Sequence, residues 1–399
     1  MSGKSAQADA TVVRTTRPPE GTWADRWLVL RNRLLGSPLF RRRAAAFVLT
    51  RPVAQRQAAA LFDLVAGFVY SQVLLACVRL KLFDILAEGP QTPAALAIRL
   101  QLTEAAAMRL LQAAVSLRLV QWCSHQRLGL GVLGATMVGN RAIEALIEHH
   151  SALYADLTDP VALLRGQAAS THLAAYWPYA ATEAPRALVE DKVAAYSALM
   201  SASQPLVANE ILDAYSLDAH KRLLDVGGGE GSFLLQVASR APHLQLELFD
   251  LPAVATRAQQ RFSIQGIAHR TKVTGGDFFH DILPNGADIA TLVRVVHDHD
   301  DARVMKLLRA VHDALAPGGT LLLAEPMAAT VGAEPMGDAY FGFYLLAMGR
   351  GQPRTAQQLG AMLQQAGFER IHPLKTRLPL QTGVLVAQVP KKRQIDCTF

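Results

Sequence analysis

Three absences narrow what this 399-residue sequence can be. It has only three cysteines, Cys77, Cys123 and Cys397, which form no CxxC pair, so neither a disulfide framework nor a zinc knuckle is indicated. Its longest uncharged apolar run, 64–78, has 15 residues, short of the roughly 20 that span a bilayer. The N-terminal segment is polar and lacks the apolar stretch of an export signal. We therefore expect a globular protein of the reducing cytoplasm.

Acidic residues are absent from one long basic segment. Residues 26–62 hold eight arginines, interleaved with tryptophan, phenylalanine, leucine and valine, and no aspartate or glutamate. Such a pattern can contact anionic lipid, bind nucleic acid or form a solvated helix face. The segment by itself leaves these three interpretations open.

The two halves of the sequence differ in texture. With 51% hydrophobic and 18% charged residues, the chain is long enough for two domains with separate cores. Ala and Leu recur at helical spacings in the first half, whereas short apolar runs alternate with helical stretches from residue 221. We predict a disordered N-terminus over 1–24, a helical domain over 25–205, an α/β domain over 206–390 and a basic tail over 391–399.

Part of the helical half predicts a winged-helix shape, with three short helices followed by a strand. Thr92, which precedes Pro93, and Thr103 are suitable N-caps for two of these helices. The helix after Thr103 offers only Arg109 and Arg118 as basic residues, which is poor for a DNA-recognition helix. We therefore expect an oligomerisation or lid role for this shape, and no nucleic-acid partner.

The second half predicts a parallel sheet with helices on both faces. Six apolar runs alternate with helical stretches: LLDV, LQLELFD, TKVTG, DIATLVRVV, TLLLAEP and VLVAQV. This alternation is typical of a doubly wound, Rossmann-like α/β fold. Ligands of such sheets bind beyond the carboxyl ends of the strands, so the residues after each run are the candidate site.

The first of these strand ends is a glycine loop, LLDVGGGEGSF. Gly227, Gly229 and Gly231 differ from the nicotinamide fingerprint, whose third glycine would stand one position later, at Ser232. Glu230 lies inside the loop, where a carboxylate is poorly placed beside a diphosphate. The loop therefore favours a cofactor that lacks phosphate and carries positive charge.

Acids at the next two strand ends complete the pattern. Asp250 follows the glycine loop by about twenty residues, the position from which a carboxylate can bind ribose hydroxyls. Asp277 can accept a hydrogen bond from a nucleobase amino group while Phe278 packs on the ring. A glycine loop, a ribose acid and a base acid without a phosphate cradle indicate S-adenosylmethionine.

The sequence resembles the class I S-adenosylmethionine-dependent methyltransferases, in particular the small-molecule O-methyltransferases related to plant caffeate and flavonoid enzymes. The resemblance is carried, in the family's order, by LLDVGGGEGSF, LFDLPAV, GGDFF, VRVVHDHDD and LAPGGTLLLAEP. It implies that the helical front half is a dimerisation domain and that the chain forms a homodimer. The cofactor-binding residues that it implies are Asp225, Gly227, Gly229, Gly231, Asp250, Leu251, Gly276, Asp277, Phe278 and Arg294.

A narrower resemblance covers nearly all of residues 27–370. The stretches RNRLLGSPLFRRRAAAF, EHHSALYADLTDPVALLRG and EPMGDAYFGFYLLAMGRGQPRT resemble the carotenoid 1-hydroxyl O-methyltransferases of purple photosynthetic bacteria, of the hydroxyneurosporene or demethylspheroidene type. The resemblance implies methylation of the tertiary hydroxyl of an acyclic carotenoid in spheroidene- or spirilloxanthin-type synthesis. An enzyme that collects such a substrate would visit the inner or intracytoplasmic membrane, which gives residues 26–62 a use.

The family resemblance also implies the catalytic residues. The histidine of its "HD" pair, the general base, falls on His297, which is followed by Asp298. One of the two acids that orient this histidine falls on Glu325. The second would fall where Gln352 or Pro353 stands, which leaves Glu325, or Asp298, to hold the imidazole.

The other polar residues of VRVVHDHDD have separate interpretations. Asp300 is a candidate cap for the following helix, and His299, where many relatives have tryptophan, is a candidate wall of the cofactor site. His297 and His299 would point to opposite faces of a strand, so a metal site is not favoured. Arg294 is either near the cofactor or part of a structural ion pair.

An aromatic and methionine-rich stretch, MGDAYFGFYLLAMGRG, would be core by its pattern alone. The resemblance instead implies that it lines the acceptor site, together with segments earlier in the chain. The substrate-binding residues so expected are His150, Tyr154, Met200, Met336, Tyr340, Phe341 and Tyr344. His149 and Tyr196 come from the same earlier helical stretches, which resemble acceptor-facing segments of the family.

Two other functions remain possible from the sequence. A methyltransferase of this fold could act on a bacteriochlorophyll or quinone precursor, although the HD pair favours a hydroxyl acceptor. A winged-helix regulator that binds a ligand in a degenerate Rossmann-like domain is the other, and the complete glycine loop, Asp250 and His297 argue against it.

Overall fold

The computed structural model describes residues 22–168, 170–176, 203–379 and 382–391. The chain forms two compact units, divided after Val73. Most of the predicted disordered N-terminus and of the basic tail lies outside the described residues, as do Tyr196 and Met200. The predicted domain boundaries remain predictions.

The first unit contains α1 (Trp23–Gly36), α2 (Pro38–Ala46) and most of α3 (Arg51–Arg79). Thr22 and Asp25 cap α1 reciprocally, and Pro38 at the first position of α2 separates the two helices. No residue of α1 or α2 is buried, and Trp23 is 82% exposed. The apolar side chains of this unit are therefore available for contact.

Helix α3 is longer than the 15-residue apolar run that it contains. The run is part of a 29-residue helix whose most apolar 18-residue window has a mean hydropathy of 1.9, with 11% of that window buried. By length and composition alone this helix could cross a membrane. The apolar run is shorter than the helix because Asp63 and Arg79 end the run, whereas a helix can include single charged residues.

The second unit begins with the winged-helix arrangement. Helices α4 (Leu82–Ala87), α5 (Pro93–Arg99) and α6 (Glu104–Ser116) precede the antiparallel hairpin of β1 (Val120–Cys123) and β2 (Arg127–Leu130). The Thr92 and Thr103 hydroxyls accept hydrogen bonds from the backbone at the starts of α5 and α6, which confirms both N-caps. The sequence predicted only one of the two strands.

Among the described residues, five helices connect this part to the sheet. They are α7 (Val132–Ala135), α8 (Arg141–Asp156), α9 (Pro160–Leu164), α10 (His172–Tyr176) and α11 (203–214). The remaining elements are β3 (Arg222–Val226), α12 (Ser232–Arg240), β4 (Gln245–Asp250), α13 (Pro252–Ile264), β5 (Thr271–Gly275), β6 (Ala287–Val293), α14 (Asp301–Ala314), β7 (Leu315–Glu325), α15 (Gly342–Met348), α16 (Ala356–Gln365), β8 (Glu369–Leu374) and β9 (Gly383–Gln388).

Seven strands form one mostly parallel sheet in the order β5-β4-β3-β6-β7-β9-β8. Strands β3 to β7 are parallel, and β9 runs antiparallel between β7 and β8. The predicted Rossmann-like fold is confirmed, and all six apolar runs form strands. The chain winds outward in both directions from β3 and β6, so the loops after these two strands lie at the topological switch point.

Helices cover both faces of this sheet. Leu223 packs with α12 and α13 on one face, while the adjacent Leu224 packs with α14 and α16 on the other. Two buried faces explain why the strands are apolar runs and do not alternate with polar residues. The rigid sheet fixes the carboxyl ends of β3, β4, β6 and β7 at one edge.

Candidate active site

The glycine turn joins β3 to α12 with a backbone that only glycine adopts readily. Gly227, Gly229 and Gly231 have φ values of +71°, +59° and +77°. A Cβ atom at Gly231 would lie 2.2 Å from Cζ of Phe262, whereas nothing lies within 4 Å of one at Gly229. The turn is therefore packed against the fold on one side and open where a ligand can approach.

Asp225 lies beneath this turn and is buried. Its Oδ1 accepts a hydrogen bond of 2.6 Å from Thr291, and burial raises its pKa to about 7. Its Oδ2 has no hydrogen-bond partner among the described residues, and a Cβ atom at Gly228 would lie 2.5 Å from it. A buried acceptor atom without a partner is a feature that a bound ligand can satisfy.

Asp250 at the end of β4 is linked to the glycine turn. Its Oδ2 accepts a hydrogen bond of 2.8 Å from the Gly229 amide, and its Oδ1 accepts one of 2.7 Å from the Leu251 amide. Removal from water raises the pKa of Asp250 to about 6, and the two amides act in the opposite direction. The carboxylate thus remains ionised at neutral pH, with lone pairs left for two hydroxyl donors.

Glu230 pairs with an arginine, so it does not present to the glycine turn the free charge that the sequence had indicated. Glu230 Oε1 lies 2.6 Å from a guanidinium nitrogen of Arg257, so its charge is compensated within the protein. The case for S-adenosylmethionine therefore depends on the glycine turn and the acids, and not on Glu230.

The loop after β5 brings an acid and aromatic rings together. Both carboxylate oxygens of Asp277 accept hydrogen bonds, from the Phe279 amide at 2.9 Å and from His280 at 2.7 Å. Phe278 and Phe279 contact the His299 ring edge-on, with centroids 5.7 and 5.0 Å away. Burial lowers the pKa of His299 to about 4, so this aromatic group is neutral.

Gly276, which precedes Asp277, packs closely against the core, since a Cβ atom there would lie 2.6 Å from the ring of Phe249.

The turn after β6, residues 295–299, holds His297 against the end of β7. Glu325 Oε2 lies 2.5 Å from Nδ1 of His297, and Oε1 accepts hydrogen bonds from the amides of Val295 and Val296 at 2.9 and 2.7 Å. Glu325 is 2% exposed and His297 is 8% exposed. One buried carboxylate therefore fixes both the imidazole and the backbone that carries it.

Asp298 occupies the other side of the imidazole. Its Oδ1 lies 3.1 Å from Nε2 of His297. Burial lowers the pKa of His297, but Asp298 and Glu325 outweigh this effect and the pKa is raised above 6.5. Burial also raises the pKa of Asp298 to about 6, against the attraction of His297. The two carboxylates therefore favour the imidazolium form of His297.

The structure also places the other polar residues of VRVVHDHDD, Asp300 and His299. The Asp300 side chain accepts a 2.9 Å hydrogen bond from the Arg303 amide, which confirms it as the cap of α14. His297 lies on a 3₁₀ turn, Val296–Asp298, and His299 is the extended residue directly after it, so the two do not alternate along a strand as the sequence predicted. Within the described ranges, no three His, Cys, Asp or Glu side chains converge as metal ligands would.

Arg294 connects the end of β6 to α11. Its guanidinium donates to the Ser203 hydroxyl at 2.8 Å and to the Gln204 side chain at 2.5 Å, and its backbone has a φ of +56°. These contacts give Arg294 a structural role, while its role toward the cofactor remains a prediction.

The aromatic stretch contacts both α8 and His297. Tyr340 and Tyr344 form hydrogen bonds of 2.8 and 2.7 Å to His150 and His149. The Phe341 ring packs edge-on against His297, with a centroid distance of 6.0 Å. Residues 335–341 form a π-helical turn that leads into α15, a local irregularity common at functional sites.

Two other residues predicted to bind the acceptor, Met336 and Tyr154, lie on the same two elements, the π-helical turn and α8. Met336 is half-buried in the same π-helical turn, and Tyr154 is 37% exposed on α8. No direct sign of a role was present in the sequence for Arg354, which donates hydrogen bonds to the carbonyls of Val296 and His299. Its position just after the expected second acid was the one signal.

Comparison with known proteins supports the same chemistry. A family model described as the O-methyltransferase domain matches residues 154–369, and one described as the O-methyltransferase dimerisation domain matches residues 62–142. The chain is 42% identical over 358 residues to demethylspheroidene O-methyltransferase of Cereibacter sphaeroides, covering 90% of this chain and 94% of that protein.

Two further similarities extend this result. Demethylspheroidene O-methyltransferase of Rhodobacter capsulatus is 42% identical over 344 residues, covering 85% of this chain and 84% of that protein. The crystal structure of human N-acetylserotonin methyltransferase in complex with S-adenosylmethionine (SAM) superposes with a TM-score of 0.69 at 25% identity, covering 84% of this chain and 98% of that one.

Proposed function

We propose an acceptor and a catalytic base for this chain from one premise: the chain belongs to the O-methyltransferase family and uses S-adenosylmethionine as its methyl donor. The acceptor is the tertiary 1-hydroxyl of an acyclic hydroxycarotenoid such as hydroxyneurosporene or demethylspheroidene. The base is His297. The observation that carries the proposal is the buried Glu325–His297–Asp298 array at the carboxyl end of β6, in a chain 42% identical to a demethylspheroidene O-methyltransferase.

The residues present fit this cofactor. Asp250 offers two oxygens to ribose hydroxyls, the glycine turn leaves its backbone open at Gly229, and the uncompensated Oδ2 of Asp225 suits a cationic ligand. Asp277 and Phe278 would hold the nucleobase of the cofactor. When bound, S-adenosylmethionine supplies a methyl group on a positively charged sulfur.

The protein contributes positioning and proton transfer. The acceptor oxygen would take the methyl group that the bound cofactor supplies, and the hydroxyl proton would pass to Nε2 of His297. The imidazolium that results lies between Glu325 and Asp298, whose negative charges stabilise it. Asp298 thus supplies the second carboxylate, which the sequence lacks at Pro353.

The aromatic cluster suits an apolar polyene. The hydroxyls of Tyr340 and Tyr344 are each bonded to a histidine, so the ring of Tyr340, which is only partly buried, remains as apolar surface for an acceptor. Burial lowers the pKa of His149 to about 4 and also lowers that of His150. These pairs are therefore neutral at physiological pH, and no charge has to be desolvated by an apolar ligand.

Methyl transfer to the carotenoid tests this proposal directly. We expect purified protein with labelled S-adenosylmethionine to methylate 1-hydroxyneurosporene, and to leave a chlorin precursor and a quinone precursor unlabelled. Product would be measured as labelled carotenoid separated by chromatography. Labelled chlorin or quinone without labelled carotenoid, under conditions where the cofactor binds, would contradict the proposed acceptor.

The dimerisation domain supports a homodimer, and the methyltransferase fold is consistent with a cytoplasmic protein. We further propose that residues 26–62 bring it to an anionic membrane surface. All of them but the last precede the match to the dimerisation domain, which begins at residue 62, so the family's dimer contact does not account for their exposed apolar side chains. Eight arginines between 26 and 62 supply the matching positive charge.

Charge reversal in α2 provides the test. We expect the chain to sediment with vesicles containing phosphatidylglycerol, and R41E/R42E/R43E to bind at least tenfold more weakly, since each basic residue near such a surface contributes about 1 kcal/mol. The matched control is R118E/K306E/R309E, which makes the same charge change at exposed positions of the second unit. Equal binding by the α2 variant and the unmodified chain would contradict membrane contact.

A further inference from the structure

The segment 351–354 lacks the acid that the family resemblance implies, but it forms hydrogen bonds to the 295–299 turn that carries His297. Arg354 is 4% exposed, although it carries a full charge. Its guanidinium donates hydrogen bonds to the carbonyls of Val296, at 3.1 Å, and His299, at 2.8 Å. The carbonyl between these two positions, that of His297, accepts a 3.0 Å hydrogen bond from the Gln352 amide. The segment 351–354 therefore holds the backbone on both sides of His297.

The charge of Arg354 is compensated at the same place. Its Nε and Nη2 lie 2.9 and 2.7 Å from Oδ1 of Asp301, the first residue of α14. Gln352 also donates to this oxygen, at 2.9 Å. A buried guanidinium persists only when such partners satisfy it, and its planar array of donors allows one side chain to reach two carbonyls and a carboxylate.

Close contact fixes this arrangement in space. Gly351 has a φ of +84°, and a Cβ atom there would lie 2.2 Å from the carbonyl oxygen of His297. Glu325 binds the amides and the imidazole of the turn, whereas the segment 351–354 binds its carbonyls. The turn is thus held on two sides by elements distant in sequence.

We propose that Arg354 is a positioning residue for methyl transfer, which sets Nε2 of His297 relative to the acceptor hydroxyl through the carbonyls of Val296 and His299. This inference rests on the proposed role of His297 as the base. In this chain, the segment 351–354 contributes to catalysis through buried Arg354, which follows the position where the family's second acid would stand.

Replacing Arg354 with lysine tests the assignment, because lysine keeps the charge but lacks the planar set of donors. We expect R354K to lower kcat about tenfold to a hundredfold, since a displacement of about 1 Å can cost a hundredfold in rate. The KM for the hydroxycarotenoid and the Kd for SAM should stay within twofold. The rate is taken per cofactor-binding site counted by titration calorimetry, so that unfolded protein does not count as slow enzyme.

Two further variants keep the result interpretable. Asp301 is largely exposed, so D301N should fold, and we expect it to lower kcat about threefold by removing the counter-charge of Arg354. R222K is the matched control. Arg222, the first residue of β3, pairs with the buried Glu247 and lies away from the carboxyl ends of the strands, so its kcat should be unchanged.

The outcomes separate this inference from the proposed base. An unchanged kcat in R354K, beside an inactive H297A, would overturn the role of Arg354 and leave the base in place. A loss of cofactor affinity in R354K as large as the loss in kcat would also overturn it, since the residue would then be generally structural. Full activity in H297A would instead overturn the base.

Discussion

Replacing His297 with alanine is expected to lower kcat about thousandfold and to leave the Kd for S-adenosylmethionine within twofold. The imidazole takes the hydroxyl proton as the oxygen–carbon bond forms, and a positioned general base contributes about 10²–10⁴ in rate. Cofactor affinity should persist because Asp250 and the glycine turn belong to other strand ends. Single-turnover rates and titration calorimetry measure the two quantities separately.

The pH dependence of the reaction supplies the control for this prediction. His297 must be neutral to accept a proton, and its pKa is raised above 6.5, so kcat/KM should rise with pH through that raised value. In D298N one of the two carboxylates that favour the imidazolium is removed, so the pKa should fall and the acid limb should move to lower pH. Equal losses of turnover and cofactor affinity in H297A, or an acid limb that does not move in D298N, would contradict the base.

Replacing Asp250 with alanine is expected to raise the Kd for S-adenosylmethionine about hundredfold, equivalent to about 2.7 kcal/mol. The hydrogen bonds that the ribose hydroxyls would donate to this carboxylate would be lost, and one hydrogen bond to a charged group is worth about 1.5–3 kcal/mol. The Gly229 amide would lose its partner as well, so the glycine turn would be less well ordered before binding.

Two variants accompany this measurement. D250N keeps one acceptor oxygen and should lie between the unmodified chain and D250A. D313A removes an acid that is 81% exposed on its side chain at α14, and should bind the cofactor normally. An unchanged Kd in D250A, with normal folding by circular dichroism, would mean that Asp250 only orders the turn.

Most of the sheet could be predicted because buried parallel strands are continuous apolar runs. Strand β8 was missed for the opposite reason. It is an edge strand that pairs only with β9, its residues are half-buried or exposed, and Pro373 interrupts it. In such a strand neither burial nor alternation produces a pattern that the sequence can reveal.

The sequence by itself determined the fold, the glycine turn and the acids at the strand ends. A parallel sheet brings the carboxyl ends of its strands to one edge, so the position of a residue just after a strand is sufficient to place it there. His297, Asp250 and Glu325 could all be located in this way.

Only the tertiary structure decided how the side chains at that edge are paired. Asp298 faces Nε2 of His297 while Glu325 faces Nδ1, and Arg354 binds carbonyls 55 and 58 positions earlier in the chain. Such pairings depend on the angles at which separate loops meet after the sheet has formed, and local sequence patterns carry no information about those angles.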